Sequence, residues 1–178
     1  MAVKKVKPEI DEVLARIDAD SLVNLAVQLG SIPSPRGQER EVGDFIYDWL
    51  TRAGFSAFKQ EVAPGRNNVV AVLPGSGQGR SLIFNSHMDT TVWQPEDRWL
   101  IGPEEYHYNH AWVEGGKIYG SGVVNDKGPM AAFMVAAVAL KESGVKLKGD
   151  LILTMAMDLS AERGQALKLP IDLEEFYR

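Results

Sequence analysis

The stretch "GDLILTMAM", Gly149 to Met157, decides the fold class. Its apolar residues run on without polar alternation, the pattern of a central strand in a sheet covered on both faces. Just upstream, "DKGPMAAFMVAAVALKES", Asp126 to Ser143, is apolar nearly all round, which predicts a buried helix. Further back, "NNVVAVLPG" and "RSLIFNSH" are short β-branched and apolar runs joined through Pro74-Gly75-Ser76-Gly77, and they predict two strands and a connection. Gly75, Gly77 and Gly79 do not make a phosphate loop, because no helical pattern and no Gly-Lys-Ser/Thr follows them. "KIYGSG", Lys117 to Gly122, predicts a short strand or turn.

Helical periodicity fills the N-terminal third. Ile10, Val13, Leu14 and Ile17 form one stripe behind Pro8. Leu22, Leu25 and Leu29 form another, with Asp20 or Ser21 as cap and Gly30 as stop. After the loop "SIPSPRG", Val42, Phe45, Ile46, Trp49 and Leu50 mark a third helix that ends before Gly54. Helices first, then strands alternating with a buried helix, predict an α/β layered domain. No internal repeat or linker interrupts the chain, so residues 1–178 read as one domain. At that length it buries roughly 70% of its unfolded surface.

Bulk composition excludes several functions. The chain carries 19 Lys and Arg against 24 Asp and Glu, a net charge of −5, so it lacks the basic excess of a nucleic-acid binder. It has no cysteine, which leaves His, Asp and Glu as the side chains available to a transition metal. "MAVKKVKPEIDEVL" is not a secretory signal. The longest apolar run, Pro129 to Leu140, falls short of the about 20 residues a membrane helix needs. The expectation is a soluble, cytoplasmic protein without a membrane partner.

Two clusters can carry chemistry. In "FNSHMDTTV", Phe84 to Val92, His87 and Asp89 sit where a strand runs out, the edge at which α/β sheets place ligand sites. An imidazole can bind a metal through one nitrogen while a carboxylate holds the other. The plainer reading is a strand-end histidine beside a turn aspartate. In "GSGVVNDKGPMAA", Asp126 stands between a glycine-rich turn and the buried helix, where it reads either as an N-cap or as a metal-bridging carboxylate.

Taken together, "SLIFNSHMDTTV" and "GKIYGSGVVNDKGPMAAFMVAAVAL" resemble the zinc-dependent family of aminoacylases, acetylornithine deacetylases, succinyl-diaminopimelate desuccinylases and carboxypeptidase G type peptidases. The paired patterns are His-x-Asp-Thr and Tyr-Gly-x-Gly-x-x-x-Asp-Lys-Gly. "GSIPSPRGQE", "NNVVAVLPG" and "GDLILT" extend the likeness over roughly residues 20 to 155. The resemblance implies a helix–sheet–helix catalytic domain on a mostly parallel mixed sheet, incomplete here, without the inserted dimerisation and lid domain. It also implies two zinc ions (cobalt as an alternative) and hydrolysis of an amide bond in an N-acylated amino acid or small peptide. His87 would bind one zinc and Asp126 would bridge both. Asp89, counted with the catalytic residues, would hold His87 from behind.

The chain also departs from that pattern. Where the family places a general-base glutamate and a ligand glutamate after the last strand, this sequence has Asp158, Leu159 and Ser160. Glu162 is the nearest substitute ligand, with Ala161 where the base belongs. Glu174 and Glu175 read as solvated residues of a short terminal helix begun by Asp172. His107 and His110, in a long loop from Thr90 to Gly116, have spacing that would suit one metal on a helix, and Trp93, Trp99 and Trp112 are expected to pack that loop. A competing expectation is a non-catalytic domain of the same fold that self-associates or binds a partner through exposed sheet edges.

Overall fold

A computed structural model describes residues 8–90 and 110–157. Helix α1 spans Pro8–Leu14, α2 Ala19–Gly30 and α3 Arg40–Arg52. Strands β1 (Ser56–Ala63), β2 (Arg66–Leu73) and β3 (Leu82–His87) follow. A small hairpin, β4 (Trp112–Glu114) and β5 (Lys117–Tyr119), leads through a π-helical turn, Val123–Lys127, into α4 (Gly128–Ser143). Strand β6, Leu151–Ala156, closes the described chain.

The main sheet has the order β1-β2-β6-β3. As its uniform apolar run predicts, β6 is interior, and Leu151 to Met155 are all buried. β3 runs parallel to it, from Leu82 opposite Leu151 to His87 opposite Ala156. β2 is antiparallel to both β1 and β6. The α/β class and the mixed sheet are as expected. However, among the described strands the antiparallel pairings outnumber the single parallel one. The reason is β1, which the sequence reading passed over. "SAFKQEVA" is an edge strand, largely exposed and charged, and it returns into β2 through a tight turn at Gly65 (φ 71°), which makes the pair a hairpin.

One face of the sheet, through Val69, Ala71, Leu151, Leu153 and Met155, meets Leu25 and Leu29 of α2, Val42, Ile46 and Leu50 of α3, and Met130, Ala131 and Met134 of α4. Phe133 of α4 stacks on Phe84 of β3 at 5.7 Å between ring centroids. The described helices therefore form one layer; the second layer of the expected helix–sheet–helix sandwich does not lie among the described residues. The apolar segment Val123–Ser143 is long enough to cross a membrane, yet its buried residues serve this core.

Two local expectations change. α2 starts earlier than Asp20 or Ser21, with Asp18 as its cap: the Asp18 carboxylate accepts from Ser21 N at 2.8 Å and from Ser21 Oγ at 2.6 Å. α1 is only two turns long, and its stripe residues Ile10, Leu14 and the following Ile17 are exposed. The glycines that resembled a phosphate loop serve packing. A side chain on Gly75 would overlap the Gly149 backbone, and one on Gly149 would overlap Arg80, so glycine lets the connection lie against the entry to β6.

Candidate functional site

His87 is the last residue of β3, and the chain beyond it stays pinned to the sheet. Met88 N donates to Ala156 O at 2.8 Å, and the Met88 side chain is fully buried. The loop after α2 then takes over as support. Ser34 Oγ donates to Met88 O at 2.6 Å, Thr90 N donates to Ser34 O at 2.8 Å, and Pro35 and Thr90 form a parallel bridge. Asp89, between these anchors, is 8% exposed.

The π-helical turn approaches from the other side. Gly122 opens it with φ 76°, and a Cβ there would run into Thr90 Cγ2. Lys127 N donates to Gly122 O at 2.9 Å, and Gly128 N donates to Val123 O. These backbone bonds satisfy the first two donors at the start of α4, and Pro129, next in the helix, has no N–H to satisfy. Asp126, preceded by a cis peptide from Asn125, is thus not an N-cap. Its carboxylate turns instead to the end of β3, where Oδ2 accepts from His87 N at 3.4 Å. Its carbonyl accepts from Ser86 Oγ at 3.2 Å.

The imidazole of His87 lies between oxygen atoms. Nδ1 is 3.1 Å from Asp89 O and 3.2 Å from Asp89 Oδ1, and Nε2 is 3.0 Å from Asn125 Oδ1. Burial alone would push this histidine down. The Asn125 hydrogen bond, the Asp89 charge, the Asp89 carbonyl and the Asp126 charge outweigh it and hold the imidazole above its ordinary range. Arg36 Nε lies 3.9 Å from Asp89 Oδ2 on the outer side. Lys127 is 1% exposed and donates from Nζ to Ile32 O at 2.6 Å. Burial pushes its ammonium down to about 8, against the opposing pull of Asp89.

His87, Asp89 and Asp126 are therefore brought together from segments 39 residues apart. Among the described residues they do not form a ready three-donor metal set. Asp158, Ala161, Glu162, Asp172, Glu174, Glu175, His107, Trp93 and Trp99 lie outside the described residues. His110 is exposed just before the hairpin, and Trp112 stacks on Tyr119 at 5.3 Å. Sequence reasoning missed Asn125, Ser34 and Arg36 as neighbours of the site, and Lys127 as a buried one. Lys127 and the "SIPSPRG" loop both stand in the stretches that carry the resemblance, but no local feature shows that they meet.

Comparison with known proteins finds relatives by sequence and by fold. Residues 83–158 match the family described as peptidase family M20/M25/M40, a span that includes His87 at the end of β3 and the π-helical turn. The N-formyl-4-amino-5-aminomethyl-2-methylpyrimidine deformylase of Halalkalibacterium halodurans is 35% identical over 150 residues, 80% of this chain and 34% of that protein. Succinyl-diaminopimelate desuccinylase of Methylocella silvestris is 32% identical over 153 residues, 84% of this chain and 37% of that enzyme. The crystal structure of human carnosine dipeptidase 1 shares the fold with a TM-score of 0.70 at 20% identity, over 89% of this chain and 36% of that one. The chain thus spans about a third of the length of the curated relatives it matches. Its motifs and its relatives support a place for the chain in peptidase family M20/M25/M40, whose members it resembles over residues 83–158.

Proposed function

We propose that this chain supplies part of the active site of a metal-dependent amide hydrolase acting on an N-acylated amino acid or small peptide. The observation that carries the reading is the orientation of Asp126. It stands where a helix cap is expected, yet its carboxylate is turned on the end of β3 beside His87. The related deformylase and desuccinylase are named for removing acyl groups, which supports the amide class.

The donor chemistry fits zinc in kind: one imidazole, one carboxylate and no thiolate. His87 would bind through Nε2, with Asn125 giving way, because Asp89 occupies the Nδ1 side and fixes the proton there. Asp126 would offer its carboxylate from the π-helical turn. A zinc ion, when bound, lowers the pKa of water to about 7 and polarises the scissile carbonyl. Zinc sites use three or four protein donors, so His87 and Asp126 are a partial set, with Glu162 the next candidate by sequence.

Zinc titration of the metal-free chain followed by calorimetry tests this. The wild type is expected to bind, and a His87→Ala, Asp126→Ala double variant to lose that binding. Equal affinity in the two proteins overturns the assignment.

A further inference from the structure

Resting on the metal-dependent reading above, we propose that Asn125 sets how tightly this site takes a divalent cation: its side-chain oxygen, paired with Nε2 of His87, is a donor without charge. The π-helical turn offers two neighbouring side chains to the end of β3, and they go to different places. Asp126 Oδ2 meets the main-chain nitrogen of His87 at 3.4 Å, while Asn125 Oδ1 lies 3.0 Å from Nε2 of the ring. The neutral residue of the two therefore stands at the nitrogen that Asp89 leaves open to a ligand.

The chemistry of that pair points to a cation. Nδ1 faces the carbonyl and a carboxylate oxygen of Asp89, at 3.1 and 3.2 Å, and these draw the ring proton to that side. A neutral ring protonated there turns the lone pair of Nε2 toward the lone pairs of an amide oxygen. Two acceptors 3.0 Å apart do not bond to each other; a positive group between them does the bonding. In the metal-free chain a proton on Nε2 or a half-turn of the amide satisfies the pair, and neither closes the position to a cation. Donors bound to one tetrahedral zinc at about 2.0–2.1 Å stand roughly 3.3 Å apart, so the pair need open only by a few tenths of an ångström.

Asp126 serves this arrangement by holding the turn. Its carboxylate and its carbonyl are both bonded to β3, through His87 N and Ser86 Oγ. Asn125 itself is exposed and has extended backbone (φ −147°, ψ 99°), so solvent ions reach it and other side chains fit there without strain. An amide oxygen, however, brings no charge. Affinity at oxygen-donor sites rises with the number of charged ligands, so a carboxylate at position 125 should tighten the site.

The test compares zinc affinity by calorimetry in the wild type, Asn125→Asp and Asn125→Ala, and follows the Asn125 carboxamide of the asparagine-labelled wild type by NMR. Asn125→Asp is expected to bind at least about 10-fold tighter. Asn125→Ala is expected to bind at least about 10-fold more weakly, the cost of losing even an outer partner of a metal ligand. Zinc should shift the Asn125 carboxamide carbon away from both its metal-free position and that of a freely solvated amide. Tighter binding by Asn125→Ala, or a carboxamide that zinc releases to the solvated position, makes Asn125 an obstacle and overturns the proposal. If zinc binding depends on His87 but both Asn125 variants match the wild type, the proposal falls and the metal-dependent reading stands. If the wild type binds no zinc while Asn125→Asp binds it and loses it on the further change His87→Ala, that reading falls and the role of position 125 is upheld. Zinc bound by neither protein overturns both.

Discussion

Asp18 and Asp126 both stand at the approach to a helix with an apolar face, and they do opposite things. Asp18 has extended backbone (φ −97°, ψ 120°), is exposed, and spends its carboxylate on Ser21 as an N-cap. Asp126 enters α4 through a π-helical turn whose backbone bonds take up the Lys127 and Gly128 donors, with Pro129 offering none, and its half-buried carboxylate faces β3. An aspartate serves its own helix unless the backbone has already done so. Only then is the charge available to a neighbouring strand.

The strongest way to break this contrast is Asp126→Asn. It should lower zinc affinity by more than about 100-fold, beyond the 10- to 100-fold cost of losing an outer partner, while helicity by circular dichroism stays unchanged. A loss of helix would return Asp126 to the capping role.

Next in size is the pH behaviour around His87. In the metal-free chain its imidazole should titrate above the ordinary value of 6.5, and Asp89→Asn should bring it down. Because the folded pKa is raised, the stability it contributes is complete below the ordinary value and disappears as pH rises through the folded one. Proton resonances of the ring, followed through the titration, decide the matter; an unshifted midpoint counts against the oxygen-rich surroundings described above.

Lys127 should show the reverse trend at higher pH. Its ammonium is depressed to about 8 from 10.5, so the folded chain releases a proton that the unfolded chain keeps. Stability attributable to this group should rise between those two values, and the rise should vanish in Lys127→Met. Denaturant midpoints measured across that window report it.

The smallest effects belong to Asp18. Asp18→Ala should lower the thermal midpoint slightly with no change in zinc affinity, and Asp18→Asn should restore most of it, since asparagine caps equally well. The Ser21 hydrogen bonds hold the Asp18 carboxyl below its ordinary value. The difference from Asp18→Ala should therefore be present at neutral pH and fade as pH falls through that lowered value.

Much of the framework is legible in the chain. A nearly uniform apolar run identifies β6 because Leu151 to Met155 are all buried, and another identifies α4, although its Pro129, Ala132 and Ala136 are exposed. Helical stripes locate α2 and α3, whose Leu25, Leu29, Val42, Ile46 and Leu50 reach the core. β1 escapes notice because an edge strand need bury little, and "SAFKQEVA" carries no apolar signal strong enough to mark it. The site divides in the same way. His87 and Asp126 stand out by motif, whereas Asn125, Ser34, Arg36 and the buried Lys127 enter only through contacts in space.

By itself, the sequence determined the elements that bury apolar surface and the kind of donors available to a cation, since both follow from side-chain composition and period. The tertiary structure decided which groups those donors meet. Ile32 and Lys127 touch across 95 residues, and His87 and Asp126 across 39. A short polar side chain acts on whatever lies within about 3 Å of it. For Asp126 that neighbour became a strand end, because a five-residue turn takes up the first donors of its helix and Pro129 offers none.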